Sequence, residues 1–190
     1  MTKKTRMSVT VLSAVLLVAG VAAAGNTGRW PATFFGAPAP QMNGVPDVVR
    51  QTLANFDDLD FRVYTGQQWQ DVHLSHSQDV IVHWADGHTT QGLAKHIEDM
   101  KVLFTFAPDN RILEHPVRFA THEGEWTAVM SWLEGTFTQP MVLANGTIVP
   151  PTNKAYRIQM VTIGHWNADG LMDEEWLSYD NAEFSRELGF

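Results

Sequence analysis

The sequence predicts an α+β domain, with helices first and then a run of antiparallel strands joined by tight turns. Three observations point to it. Up to Phe104 the apolar residues recur at helical spacing: Val48, Val49, Leu53 and Phe56, then Leu93, Ile97, Met100 and Phe104. From Arg111 onward the pattern alternates instead, most clearly in "EWTAVMSWLEGTF", where Trp126, Ala128, Met130 and Trp132 share one face. The second half is also divided by the turn signals "EGE", "NG" and "NADG". Helices followed by strands, rather than alternating with them, are the mark of the α+β class.

Each element has its own justification. Residues 1–24 read as a secretory signal peptide: the basic "MTKKTRMS", the apolar run Val9 to Ala24, and small residues before Gly25. The apolar run is short for a membrane span, which needs about 20 residues. Residues 25–46 form a Pro/Gly-rich arm with Pro31, Pro38, Pro40 and Pro46. The domain proper is 47–190. It opens with two short helices, 47–56 and 58–68, followed by the strand "DVIVHW" and an "ADG" turn. Thr89 and Thr90 offer caps for a helix through Phe104, which Pro108 stops. "RILEHPVRFA" is a strand interrupted or edged at Pro116. "LANGTIV" carries a hairpin signal. "KAYRIQMVTIGHW" and "LMDEEWLSYD" are the long closing strands, and Asn181 to Leu188 a final short helix.

Composition narrows the function. The chain has 190 residues, a formal charge of −8 and no cysteine. Losing Lys3, Lys4 and Arg6 with the leader makes it three units more negative. That charge disfavours nucleic acid and anionic membranes, so no nucleic-acid partner and no stable membrane association after cleavage are expected. The leader implies a secreted or periplasmic protein. Without cysteine there is neither disulfide nor thiolate chemistry. The chain holds no G-x-S-x-G elbow, Walker loop or dinucleotide fingerprint. "HEGEW" begins like a zinc-protease motif, but Trp126 stands where the second histidine belongs. His73, His76, His83 and His88, with Asp86, lie close enough in sequence to suggest metal ligands. "HLSHSQ" reads better as a polar helix end and His88 as a turn residue, so no metal is expected.

The segment "MDEEWLSYDN" concentrates acids beside aromatic rings. On a strand, Glu174, Trp176, Ser178 and Asp180 share one face, and Asp173, Glu175, Leu177 and Tyr179 the other. If Trp176 faces a pocket, Asp180 does too. Poor hydration there would raise its pKa and suit it to acid–base catalysis. The competing role is helix capping: Asp180 precedes the last helix, and Glu183 follows three residues later, as in a capping box. Glu134 shares a face with Trp132 and Met130, and either joins the pocket or reaches solvent at the strand end. Trp84, Trp132 and Trp176 are pocket-lining candidates, or plain core.

These segments resemble the SnoaL-like polyketide (ester) cyclases of the nuclear transport factor 2-like superfamily. The likeness rests on "SQDVIVHWADGHTTQGLAKHIEDM", "EGTF" and above all "DGLMDEEWLSYDNAEFSRELGF". It implies a cone-shaped, curved antiparallel sheet packed on N-terminal helices around an apolar pocket. It implies chemistry without metal or cofactor, and a homodimer. The family's pocket aspartate matches Asp180, the early-strand histidine His83, and the penultimate strand contributes His165. The sequence departs from the family at Glu175, where many relatives carry histidine, and in its secretory leader.

The resulting expectation is an exported enzyme doing cofactor-free acid–base chemistry on a small apolar carbonyl compound: aldol cyclisation, isomerisation or dehydration. Asp180 would move the proton, with His83, His165 or Tyr156 steadying the enolate. The alternative is a non-catalytic periplasmic or secreted module that binds a small apolar ligand in the same cone.

Overall fold

The structure is a computed structural model that describes residues 44–143 and 145–190. The leader and most of the arm, expected at 1–24 and 25–46, lie outside the described residues. Helix α1 (Asp47–Asp58) starts after Pro46 and buries Val49, Leu53 and Phe56. It runs directly into a π-helical segment, Leu59–Tyr64, then a 3₁₀ segment, Trp69–Leu74. The second predicted helix is therefore shorter and wider than an α-helix. This matters because a π turn changes which residues face inward, and such turns are frequent at functional sites.

Strand β1 (His76–His83) begins three residues earlier than expected. Its first residue, His76, is almost fully buried at 1% exposure and is not a polar helix end. Thr89 and Thr90 do not cap a helix: they lie in a short strand, β2 (Thr89–Gln91), and the Thr90 hydroxyl accepts from Trp84 Nε1 at 2.8 Å. Helix α2 (Leu93–Phe106) follows Gly92 and has no side-chain cap. Strands β3 (Arg111–Ile112) and β4 (Val117–Ala120) flank the break before Pro116. The remaining strands are β5 (Trp126–Thr136), β6 (Met141–Val142), β7 (Ile148–Val149), β8 (Ala155–Trp166) and β9 (Met172–Tyr179). Helix α3 (Asn181–Leu188) closes the chain.

The sheet order is β2-β1-β9-β8-β5-β3, with β4 also on β5, and β6–β7 form a separate hairpin. All pairs in the large sheet are antiparallel except β1 with β9. That parallel pairing requires a long crossover, and it brings the N-terminal His76 beside the C-terminal Met172. The strict alternation of β5 and β8 decides which residues form the core. Leu133 and Ile158 point inward at 2% and 1% exposure, with Phe106, Phe137 and Leu188 packed around them. Burial of each such side chain contributes about 1.5–3 kcal/mol. Gly135 has a packing reason: it pairs with Tyr156 across β5 and β8, and a Cβ there would lie 2.6 Å from the tyrosine oxygen.

Candidate active site

A cavity of about 170 Å³ lies between the sheet and the helices. Its size is comparable with cavities that hold a single benzene-sized ring. Met100 and Phe106 of α2, Leu133 of β5, Met160 of β8, Leu177 of β9 and Phe184 of α3 give it apolar walls. Its polar groups are Asp60 and Tyr64 from the π segment, Trp84, His88, His96 and Asp99, Thr162 of β8, Glu175 and Tyr179 of β9, and Asn181 and Ser185 of α3. Among the described residues, neither lysine nor arginine lines the cavity.

The face of β9 that lines the cavity is Glu175, Leu177 and Tyr179. The expected pocket face, Trp176 with Asp180, is the other one. Asp180 is exposed, and one of its carboxylate oxygens accepts from the backbone N–H groups of Ala182 at 2.8 Å and Glu183 at 3.0 Å. It is the N-cap of α3 and does not line the cavity, so the capping role replaces the pocket role. Trp176 stacks on His83 outside, with ring centres 4.9 Å apart. His83 Nε2 lies 2.7 Å from Glu174, and His165 Nδ1 lies 2.6 Å from Asp173, both pairs about one-third exposed. Neither histidine lines the cavity.

Parity on β5 separates Glu134 and Trp132 from the cavity in the same way. Glu134 pairs with Arg111 at 2.8 Å, and the Arg157 guanidinium lies 3.9 Å over the Trp132 ring. Tyr156 is buried beneath the wall, and its hydroxyl donates to Asn110 Oδ1 at 2.5 Å. Of the eight side chains singled out from the sequence, the cavity takes Trp84.

Two buried clusters supply the polar end instead. The first centres on Asp60, 8% exposed. The His115 side chain, 1% exposed, bridges Asp60 and Asp57, with each ring nitrogen 2.8 Å from a carboxylate oxygen. Arg118 reaches Asp57 from outside. A ring with a carboxylate on both nitrogens donates twice only as imidazolium. Burial alone would lower its pKa, but the bonds and charge of Asp60 and Asp57 outweigh that and raise it. Burial raises the pKa of Asp60, and the bond from His115 opposes only part of that rise. Asp60 is therefore a cavity carboxylate held in place on one side and more basic than an ordinary aspartate.

The second cluster joins Glu175, 5% exposed, to His76 of β1 and His96 of α2, at 1% and 3%. Glu175 Oε2 is 3.9 Å from His76 Nε2 and 3.5 Å from His96 Nε2. Burial lowers the pKa of His96 to about 4, so its ring is neutral near pH 7.

Sequence reasoning missed Asp60, His96 and His115, and set Glu175 aside as a departure from the family. Only Glu175 had a usable signal, since it shares a strand face with Leu177 and Tyr179.

The family model of SnoaL-like polyketide cyclases matches residues 59–188, more than half of the chain, and the protein belongs to that family. Solved structures give the same fold. A candidate polyketide cyclase from Xanthomonas campestris pv. campestris aligns with a TM-score of 0.65 at 12% identity, covering 75% of this chain and 99% of that one. A candidate SnoaL-like polyketide cyclase from Jannaschia sp. CCS1 gives 0.61 at 19% identity, covering 75% and 94%. IdmH, a candidate polyketide cyclase from Streptomyces antibioticus, gives 0.57 at 18%, covering 74% and 99%. At these identities the likeness is one of fold. No curated protein matches. The fold class expected from the sequence, a curved sheet on helices of the nuclear transport factor 2-like type, is the one observed.

Proposed function

We propose that this protein is an exported acid–base enzyme of the cyclase/isomerase type, acting on a small, mostly apolar carbonyl compound. The observation that carries the reading is Asp60: a buried carboxylate lining an apolar cavity, with its pKa raised and its position held by His115. Asp60 takes a proton from the carbon α to the substrate carbonyl. Its raised basicity brings it nearer the pKa range in which a general base works well. The same carboxyl then returns a proton to the product, which completes an isomerisation, a dehydration or an aldol closure. Tyr64 and Tyr179 line the same cavity as neutral phenols, since burial raises both pKa values. As neutral phenols they can donate to a developing enolate. Acids without lysine or arginine on the wall favour neutral substrates, such as ketones and esters, over free carboxylates.

Residues 1–24 support a secreted or periplasmic location. Phe119, Trp126 and Ile163, exposed on the outer sheet face, support a homodimer formed through that face.

The test is deuterium exchange α to the carbonyl in a panel of small ketones and β-keto esters, with wild-type protein and Asp60→Asn. Catalysed exchange that the substitution abolishes is the expected result. A panel ligand that binds wild type without exchange, and binds Asp60→Asn equally well, would instead favour the non-catalytic binding module.

A further inference from the structure

We propose that His76, His96 and Glu175 form a mononuclear site for a divalent first-row transition metal, with an open coordination position on the cavity. The donor set is two imidazoles and one carboxylate, the chemistry such ions prefer. The three ligand atoms lie within 4.8 Å of one another. A tetrahedral ion with bonds of about 2.0–2.2 Å holds its ligands about 3.4 Å apart. Glu175 Oε2 stands 3.5 and 3.9 Å from the two imidazole nitrogens, within about half an ångström of that spacing, and no pair of the three ligand atoms is more than 4.8 Å apart.

The second observation is the unmet bonding capacity. Two of the facing atoms, His76 Nε2 and Glu175 Oε2, are buried without a hydrogen-bond partner among the described residues. Such atoms are rare in folded proteins, and each carries a desolvation cost. The 3.9 Å gap is too long for a hydrogen bond. The proton inventory on His76 makes the gap less favourable still. Ser75 Oγ lies 3.1 Å from Val72 O and 2.9 Å from His76 Nδ1, so a hydroxyl that donates to Val72 accepts from His76 Nδ1–H. That tautomer leaves a bare lone pair on Nε2, facing a carboxylate oxygen. Two acceptors aimed at each other in a dry site are unfavourable unless a positive charge, a proton or a metal ion, lies between them. Ser75 is then the outer partner that orients a metal-bound histidine.

His96 and Glu175 are among the residues that line the cavity, and the buried His76 is not. The remaining coordination position therefore faces the ligand space, where an ion would polarise a substrate carbonyl near Asp60.

The experiment uses untagged, chelator-stripped full-length protein titrated with Co²⁺. Its readouts are stoichiometry, visible absorption and melting temperature, none of which depends on turnover. One equivalent bound, a d–d spectrum of low-coordinate Co²⁺ and a higher melting temperature are expected. Glu175→Gln and His96→Ala should weaken binding at least about 100-fold, and Ser75→Ala about tenfold. His83→Ala and His165→Ala, on the outer face, should bind as wild type does. If a buried variant does not fold, X-ray absorption of the wild-type Zn²⁺ complex decides, with a shell of two imidazoles and carboxylate oxygen expected. Substoichiometric binding by folded wild type, unchanged binding in Glu175→Gln, or a shell without two imidazoles would each overturn the site. Asp60→Asn should still take up Co²⁺, so a failure of the acid–base reading is distinguishable from a failure of the metal site.

Discussion

The two faces of the sheet carry the same residue types and do different things with them. Outside, His83 meets Glu174 and His165 meets Asp173 at ordinary hydrogen-bond distances, one-third exposed, with Trp176 stacked on His83 and Trp126 tilted against His165. Water can solvate whatever charge those pairs carry, so they are worth little to stability or chemistry. Inside, His115 is clamped between two carboxylates, and His76 and His96 stop short of Glu175. There no water compensates for an unmet proton or charge, and the cost of burial becomes altered proton affinity. A histidine beside an acid identifies a site only when the pair is also dry and aimed at open space.

Substitutions can break this contrast, and the largest effect is expected at Asp60. Asp60→Asn keeps the shape and removes the base, so turnover should fall by about 10²–10⁴-fold, measured on whichever carbonyl compound shows exchange. In the wild type, the acid limb of the activity profile should lie above the ordinary aspartate range, since only ionised Asp60 accepts a proton.

Next comes His115. His115→Ala leaves Asp60 without its cation and Asp57 with Arg118 alone, and should cost about 3–5 kcal/mol, readable by urea denaturation. Its pKa is raised in the folded state. Its stabilisation is therefore complete below the unfolded value of about 6.5 and is lost as pH rises through the folded value. His115→Gln should flatten that part of the stability–pH curve; an unchanged slope would remove His115 as its source.

On the outer face, cross-strand register aligns Phe119, Ala128, Ile163, Trp176 and His83 in one row. If two copies associate there, Ile163→Glu should give monomers in light scattering with the fold intact.

A smaller effect is expected at Asp180. Asp180→Ala should cost about 1 kcal/mol of stability through the lost cap, while Asp180→Asn should melt like wild type and keep full activity. His83→Ala should change stability by less than about 1 kcal/mol. A large activity loss in either Asp180→Asn or His83→Ala would reverse the assignment of faces made here.

Much of the fold was legible before any coordinates. The 3.6-residue stripe of α2, the alternation of β5 and the "NADG" turn, with Gly170 at φ +72°, are local signals that local geometry obeys. Thr90 misled because a hydroxyl before a helix reads as a cap, whereas here it serves Trp84 from across a turn. The site was less legible. Alternation sorts β9 into two faces, and the larger ring, Trp176, points to its own face as the buried one. In this molecule indole stacking on His83 occupies the outer surface, and the smaller Leu177 and Tyr179 face inward.

The sequence by itself determined the class of fold, the positions of most elements and, apart from Asp173 at the register shift between β8 and β9, the two sets of residues on the long strands. All of these follow from the spacing of apolar side chains along a few residues of chain. Only the tertiary structure decided which set faces the cavity, and that Glu175 meets His76 and His96, residues about 100 and 80 positions away in the chain. Those contacts depend on the parallel β1–β9 crossover and on the packing of α2. No local periodicity encodes them, because they come from closing the whole sheet around one dry space.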